Sequence, residues 1–338
     1  MNSEVRLLNE NEYSLWDNLV DESSQGTVFH KSFWLKASEK KIVIYGYFKG
    51  RELYAGIPLS HCVKFGIRVA LPPLLTPYSG VLLRKSEGKY VTRLSAEKEA
   101  TQKIAQKLKS DQHFVNFMYP PGVVNIQPFL WEGFSLSIMY TYIIQLDRSL
   151  EDIWNAMEFE TRHHIRKAEK DGIVINKSDD FNQTLNLVEK SNTRQNRDVR
   201  SELMVCPAHD EVLAKRGQCK SFLAQDKNGD NIAAVYIVWD NRRSYNVLSG
   251  YDSEKKHHGA STLALWKAIE FSKQELGLEE FDFEGSMVPR LERFYRGFGG
   301  QQIVRYGVTW VKPSLKILVF AREAFRQILA RLRLQNFS

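Results

Sequence analysis

The sequence predicts an α/β protein made of two copies of one unit, on three observations. A β-hairpin pattern occurs twice, the same succession of elements follows each hairpin, and one strongly marked helical segment separates the two runs. The composition is that of a folded chain: 338 residues, 43% hydrophobic and 26% charged, which excludes disordered, collagen-like and low-complexity classes and allows two domains. No apolar run approaches the ~20 residues that a membrane-spanning helix needs. Met1–Arg6 lacks a basic stretch followed by an apolar core, so no signal peptide and a cytoplasmic location are expected.

In chain order, strand-like runs at 42–48 and 53–59 flank Lys49-Gly50-Arg51-Glu52, a hairpin signal. The pattern returns at 222–225 and 232–239 around Asp226-Lys227-Asn228-Gly229-Asp230. Setting Gly50 on Gly229 also sets Leu53 on Ile232 and Ala55 on Ala234. Helices are expected next, at 95–108 and 260–276, then short strands at 114–119 and 281–284. An aromatic turn ending in Gly-Phe (Gly133-Phe134, Gly297-Phe298) and a last strand close each run. The boundary is expected near residue 147, giving units 1–147 and 148–313 and a tail, 314–338.

Between the units, Ser149-Leu-Glu-Asp152 fits a capping box, and Gly172 supplies a stop for a helix over 150–170. Arg162 and Arg166 lie four apart on one face of it. They read either as surface charge matched to the helix dipole or as a clamp for phosphates or substrate. The Pro-rich stretch Leu71-Pro-Pro-Leu-Leu-Thr-Pro77-Tyr78-Ser79-Gly80 cannot be a regular helix or central strand. It reads as a stiff loop, a plain connection or a cleft wall with Tyr78 as a ligand contact.

The net charge of +7 is uneven: Arg290–Ser338 holds ten basic and two acidic residues, so the excess lies there. Such a segment either meets phosphates, nucleic acid or an anionic membrane surface, or is a solvated tail. Within it, Leu318, Phe325, Ile328, Leu329 and Leu332 recur at helical spacing opposite Arg322, Arg326 and Arg333. Cys62, Cys206 and Cys219 form no CxxC pair. Cys206, His209 and Cys219 lack a fourth ligand, so buried thiols are favoured over zinc and no metal is expected.

Two segments carry candidate chemistry. After a strand at 245–251, the turn His257-His258-Gly259-Ala260-Ser261 opens a helix whose free amides can hold a pyrophosphate. In Phe281-Asp282-Phe283-Glu284, alternation sends both carboxylates to one face. Glu284, at the strand end, is then either a general base for an amine or, with Asp282, part of a structural network with Arg290, Arg293 or the arginines between the units.

The order of hairpin, strand, His258-Gly259 helix start, Phe281-Asp-Phe-Glu-Gly-Ser286 strand and Glu292-Arg-Phe-Tyr-Arg-Gly-Phe-Gly-Gly300 resembles the GNAT N-acyltransferase superfamily. Within it, the chain resembles the double-domain Fem branch, the methicillin-resistance factors and peptidoglycan aminoacyltransferases of cell-wall biogenesis. Thr161-Arg-His-His-Ile-Arg166 and Val28-Phe-His-Lys31-Ser-Phe-Trp34 add to the likeness. It implies two GNAT-like domains, each a mixed, mostly antiparallel sheet flanked by helices, with the acyl donor on the second and the acceptor on a degenerate first.

It also implies roles. Residues His257, His258, Gly259, Ala260 and Ser261 would bind the donor pyrophosphate. Glu284 would be the base, the backbone near Tyr251 an oxyanion donor, and Tyr295 the acid for the leaving thiolate. The acceptor would meet Lys31, Lys36, Tyr78, Arg162, Arg166, Arg293 and Arg296. Where the Fem pattern reads Phe-Lys-x-x-Phe-Gly, this chain has Phe294-Tyr295-Arg296-Gly297-Phe298-Gly299, and it lacks the long helical hairpin of some Fem enzymes. Both departures favour acetyl-CoA or another acyl-CoA over aminoacyl-tRNA as donor. The expected acceptor is an amine on a cell-envelope or surface-polysaccharide precursor. Two alternatives stand: a tRNA-dependent Fem-type transferase, and a non-catalytic RNA- or membrane-binding protein.

Overall fold

The computed structural model describes residues 3–38, 41–194, 200–255, 257–285 and 287–315. The first run of elements is β1 (Ser3–Leu7), α1 (Tyr13–Glu22), α2 (Ser32–Ala37), β2 (Ile42–Lys49), β3 (Glu52–Lys64), β4 (Ile67–Leu71), β5 (Leu82–Leu83), α3 (Tyr90–Asp111), β6 (Phe114–Met118), α4 (Gln127–Trp131) and β7 (Ser135–Gln145). Two helices follow, α5 (Leu150–Asn155) and α6 (Phe159–Lys170). The second run is β8 (Val174–Ser178), α7 (Phe181–Arg194), α8 (Arg200–Leu203), α9 (Cys206–Ala214), β9 (Cys219–Gln225), β10 (Asn231–Trp239), β11 (Arg243–Tyr251), α10 (Ala260–Gln274), β12 (Glu280–Asp282), α11 (Pro289–Arg296) and β13 (Gln301–Val311). The two hairpins, β2–β3 and β9–β10, form as their alternation and turns predict.

All strands join one sheet, ordered β1-β2-β3-β4-β6-β13-β7-β12-β11-β10-β9-β8, with β5 beside β3. Among the described residues every pairing is antiparallel except two, β4 with β6 and β11 with β12. The last strand of the second run, β13, lies between β6 and β7, and β7 of the first run pairs with β12. The runs thus exchange their final strands, so a division at residue 147 cuts the chain but not the sheet.

Apolar side chains collect on both faces. Phe281, Phe283, Phe298 and the inner face of α10 form one core, and Phe117, Phe129, Ile104 and Leu108 another. A third core joins the two runs: Phe29, Trp34 and Tyr78 from the first pack on Tyr236, Val238 and Tyr245 from the second. The Phe29 ring stands 4.8 Å from those of both Trp34 and Tyr245. Burying several aromatic rings at this seam is worth several kcal/mol in total and holds the two runs as one body.

Two expectations need correction. The helix over 150–170 is two helices, broken at Ala156-Met157-Glu158, where the Glu158 N–H donates to the Gly297 carbonyl at 2.9 Å. The Ser149 cap forms, with Ser149 Oγ accepting from the Asp152 N–H at 3.0 Å. The helix expected at 95–108 begins earlier, at Tyr90, so only part of the charged stretch from Arg84 to Arg93 is loop. Of the tail 314–338, residues beyond Leu315 lie outside the described residues.

Candidate active site between the two units

Strands β11 and β12 pair only from Arg243/Glu280 to Tyr245/Asp282. β11 then continues to Tyr251 with β10 as its neighbour on the other side, so the parallel strands part and leave a slot. Val247 and Leu248 are half-buried along it and Ser249 is exposed. Glu284 ends the β12 side of the slot with φ at 55°, a left-handed conformation that costs about 1 kcal/mol or more outside glycine. Its N–H donates to Asp282 Oδ1 at 2.8 Å, which turns the chain sharply at the slot mouth.

Alternation holds along β12. Phe281 and Phe283 enter the core beneath α10, while Glu280 and Asp282 face the first run. Asp282 is fully buried and accepts from the Tyr78 hydroxyl at 2.8 Å and the Thr141 hydroxyl at 2.6 Å. The Arg243 guanidinium lies 3.6 Å from Asp282 and also forks onto Glu280. Glu280 is thereby held below the usual carboxylate range: burial works against ionisation, and the adjacent Arg243 overcomes it. Glu284 goes the other way. Burial, then the neighbouring Asp282 charge, push its carboxyl well above the ordinary range, with Arg305 opposing. Its Oε1 is sealed from solvent without a hydrogen-bond partner. A carboxyl so raised is a stronger base once ionised, which suits proton abstraction from an amine.

On the same sheet face, two joined cavities open between the runs, of about 310 and 780 Å³. The smaller has Ile143, Gln145, Ile303, Arg243, Tyr245 and Glu280 in its walls, one residue from Asp282 through Arg243. The larger has walls of mixed charge, with Lys31, Arg84, Lys85 and Arg93 alongside Asp21, Glu22, Glu97 and Glu279. Arg84 is paired with Glu22 and Glu52, but Arg93 Nε is buried with no partner.

The predicted site residues divide among these features. Lys31 lines the larger cavity, bound to Asp21 at 2.6 Å. Lys36 lies outside both cavities, more than half exposed over the Tyr13 ring. Tyr78 is fully buried on Asp282, so it is a positioning residue and not an open ligand contact. Arg162 and Arg166 lie on α6, away from both cavities. Arg166 is exposed over the Trp154 ring at 5.3 Å, and Arg162 has a buried, unpartnered Nε. Arg293 is exposed on α11, and Arg296 is tied to Glu292 at 3.0 Å and to Glu158 at 3.8 Å. The expected pairing of the β12 carboxylates with Arg290 or Arg293 does not occur. Arg243 takes that place.

Tyr295 and Tyr251 both pack on the α10-side core, the Tyr295 ring 5.2 Å from that of Phe283. Both lie on the sheet face opposite the one that Asp282 points to. At the start of α10 the Gly259 N–H donates to His257 Nδ1 at 3.1 Å, and His257 Nε2 contacts Asp171, also at 3.1 Å. His258 is exposed, Ser261 half-buried and Ala260 buried. Gly259 is required by packing: a Cβ there would stand 2.2 Å from the His164 carbonyl oxygen of α6. The glycine thus serves the α6–α10 contact whether or not an anion binds, a reason the sequence does not display.

Sequence reasoning missed Arg243, Arg305 and Thr141. A signal existed for the arginines, each a charge inside an otherwise apolar or alternating strand run (Arg243-Ser-Tyr-Asn-Val and Ile-Val-Arg305-Tyr-Gly-Val). Cys206 and Cys219 are buried thiols pushed up to about 12 by burial. Among the described residues, no group of His, Cys, Asp or Glu could hold a metal ion, and no helix is long and apolar enough to cross a membrane.

Residues 159–289 match the acetyltransferase (GNAT) domain family. No curated protein matches the chain in sequence. In fold, the chain is similar to FemX at 12% identity, over 93% of this chain and 99% of that one, with a TM-score of 0.69. It is also similar to a tandem GNAT protein of the clavulanic acid biosynthesis pathway, at 12% identity over 90% and 98% with a TM-score of 0.51. L-PGS from Bacillus licheniformis matches at 13% identity over 90% and 92%, with a TM-score of 0.53. The second run of elements therefore carries a match to the acetyltransferase (GNAT) domain, and the chain as a whole has a fold similar to those of FemX and the tandem GNAT protein.

Proposed function

We propose that the protein transfers an acyl group, in the simplest case acetyl, from acyl-CoA to an amine on a cell-envelope or surface-polysaccharide precursor. The observation that carries this reading is the open slot within the GNAT-matched residues, which ends at the half-buried Glu284, one of whose carboxyl oxygens has no partner, beside a cavity between the units. A donor laid along the slot has apolar walls at Val247 and Leu248, and its phosphates would meet the start of α10 at the Ser261 and Thr262 amides, since those of Gly259 and Ala260 donate to His257.

The donor supplies a thioester carbonyl. Glu284, once ionised, takes a proton from the acceptor ammonium, freeing the nitrogen lone pair. A new C–N bond forms as the C–S bond breaks. The backbone near Tyr251 faces the charge that builds on the carbonyl oxygen, and Tyr295, on the other side of the slot, gives its proton to the departing thiolate. Asp282, fixed by Tyr78 and Thr141, keeps the Glu284 turn in place. In the mixed-charge cavity, Lys85 and Arg93 are the cations that would meet phosphates of the acceptor, beside the Lys31–Asp21 pair.

The test is release of free CoA thiol from acetyl-CoA in the presence of amine-bearing envelope precursors, with the acylated product identified by mass. Turnover lost in Glu284→Gln is the expected result. No thiol release and no acetyl-CoA binding, together with salt-dependent retention of aminoacyl-tRNA on filters, would replace this reading with tRNA-dependent transfer.

A further inference from the structure

One end of the sheet, where β3 turns into β4 beside β6 and β13, carries a surface that neither the cores nor the candidate site uses. The turn is Phe65-Gly66, with φ of 50° and 75°. Positive φ at both positions suits Asn-Gly or Asp-Gly, and a Phe at the first is strained. Its ring also stands free in solvent: Phe65 is 103% exposed, the most exposed of the described large apolar residues. Behind the turn, each cross-strand pair sets an apolar residue beside a cation. Lys64 lies opposite Ile67 and Val63 opposite Arg68, on alternate faces of the hairpin. Val63, Lys64 and Arg68 are exposed. The neighbouring strands bring further cations to this end. The His61 N–H donates to the Lys41 carbonyl, the His113 N–H to that of Arg68, and the Lys312 N–H to that of His113, each at 2.8 Å. Desolvation and then Lys41 and Arg68 hold the His61 imidazole below its usual value, and desolvation, Arg68 and Lys312 do the same to His113. Asp111 is paired with Lys107 at 3.1 Å, and among the described residues no carboxylate pairs with Lys64, Arg68 or Lys312.

We propose that this hairpin docks the protein on an anionic membrane surface, with Phe65 entering the boundary between headgroups and acyl chains and the cations around it meeting lipid phosphates. Apolar and basic residues occur on both faces of the hairpin behind an aromatic tip. Such a surface complements a layer entered tip first rather than a partner lying against one face. Lys64 and Arg68 have stems long enough to keep their charges at headgroup level while the tip goes deeper. The unpaired positive charge matches an anionic leaflet, and the aliphatic Val63 beside the aromatic tip gains from lipid what it would not gain from a base stack. A free Phe in a turn that Asn would suit better is a cost to the protein in water, and it is offset where the ring leaves water. Docking of this kind goes beyond acyl transfer and does not depend on it.

The experiment sediments the full chain with vesicles of equal parts phosphatidylglycerol and phosphatidylcholine, and with vesicles of phosphatidylcholine alone. The wild type should bind the anionic vesicles, not the neutral ones, and less as salt is added. Phe65→Asn should lower the affinity by about tenfold or more. It should melt at or above the wild-type temperature, because Asn-Gly suits the turn, so the loss cannot be put down to unfolding. Lys64→Gln and Lys312→Gln should each lower the affinity by about fivefold. In Phe65→Trp, brominated acyl chains should quench emission beyond the level that the seven native tryptophans show in the wild type. Vesicle binding that is unchanged in Phe65→Asn overturns the proposal and moves the contact elsewhere, the basic tail 314–338 first of all. Absence of binding to anionic vesicles also overturns it. Salt-dependent retention of tRNA would then assign the cations to a nucleic acid, and dimerisation that Phe65→Asn abolishes would assign the tip to a second copy of the chain.

Discussion

The two parallel strand pairs, β4 with β6 and β11 with β12, occupy equivalent places in the two runs and end differently. The equivalence is visible in the hydrogen bonds. The Tyr119 N–H donates to the Tyr306 carbonyl as the Phe283 N–H donates to that of Tyr142. Met118 stands opposite Gly307 as Asp282 stands opposite Ile143. Asp282 is therefore the counterpart of Met118, and Glu284 of Pro120, so the first copy has neither carboxylate. Its gap is also filled. The Ser79 N–H donates to the Met118 carbonyl at 2.9 Å, and Gly80 lies so close to the Tyr119 ring that a Cβ would stand 2.2 Å from it. The Pro-rich loop that closes the first gap is the one that carries Tyr78 onto Asp282 beside the second. One copy gave up its own slot and became a wall of the other's.

The largest effect that tests this asymmetry is on turnover. Glu284→Gln should lower the acyl-transfer rate by about 10²–10⁴-fold, the usual contribution of a positioned base, while Met118→Leu in the other copy leaves it unchanged. In the wild type the rate should rise with pH as the raised Glu284 carboxyl ionises, and that limb should vanish in the variant. Stability provides a second readout. The folded state holds the Glu284 proton to higher pH than the unfolded chain does, so wild-type stability falls as pH rises above the ordinary carboxylate range. Glu284→Gln removes this penalty, so its melting temperature should equal or exceed the wild type's at pH 8 and gain less at pH 5.

Next come the two close approaches that define the copies. Gly259→Ala and Gly80→Ala each introduce a clash and should cost about 1–3 kcal/mol in denaturant unfolding. The cost should be greater for Gly259, whose neighbour is the His164 backbone, than for Gly80, whose neighbour is the Tyr119 ring. A destabilised Gly80→Ala should still bind no second equivalent of acetyl-CoA by calorimetry, because loosening the loop restores a gap but no carboxylate.

A smaller effect belongs to the seam. His30 is fully buried, and burial holds its imidazole down to about 3. Below the ordinary histidine value the unfolded chain takes up a proton that the folded one refuses. Stability should therefore fall by about 2 kcal/mol between pH 7 and pH 5 from this residue alone. His30→Gln should show a correspondingly shallower acid slope in urea titrations. The smallest expected effect is that of Arg166→Gln. An exposed cation over an indole is worth about 0.5–1 kcal/mol, and affinity for diphosphate-linked sugars should not change.

The duplicated order was legible in the sequence because hairpins, turns and the long α10 pattern are local features, written in residues a few positions apart. Asp282 and Glu284 were legible as a pair for the same reason: alternation along one strand needs no knowledge of its neighbours. The break between α5 and α6 was not. Ala156-Met157-Glu158 contains no helix breaker, and the interruption is stabilised by the Gly297 carbonyl, remote in sequence. Arg162 and Arg166 stood out by density of charge, but which cavity a helix face meets is not a property of the helix.

What the sequence determined by itself was the set of elements, their duplication and the acid-bearing strand, since each follows from spacing within a short window. What only the tertiary structure decided was the exchange of β7 and β13, the plugging of one gap and the opening of the other. It also decided the meeting of Tyr78, Thr141 and Arg243 on Asp282, next to a Glu284 oxygen left without a partner. Those contacts join residues far apart in the chain. Their formation depends on how whole strands pair and how loops fill space, and burial, which raises Glu284, exists only once that packing is complete.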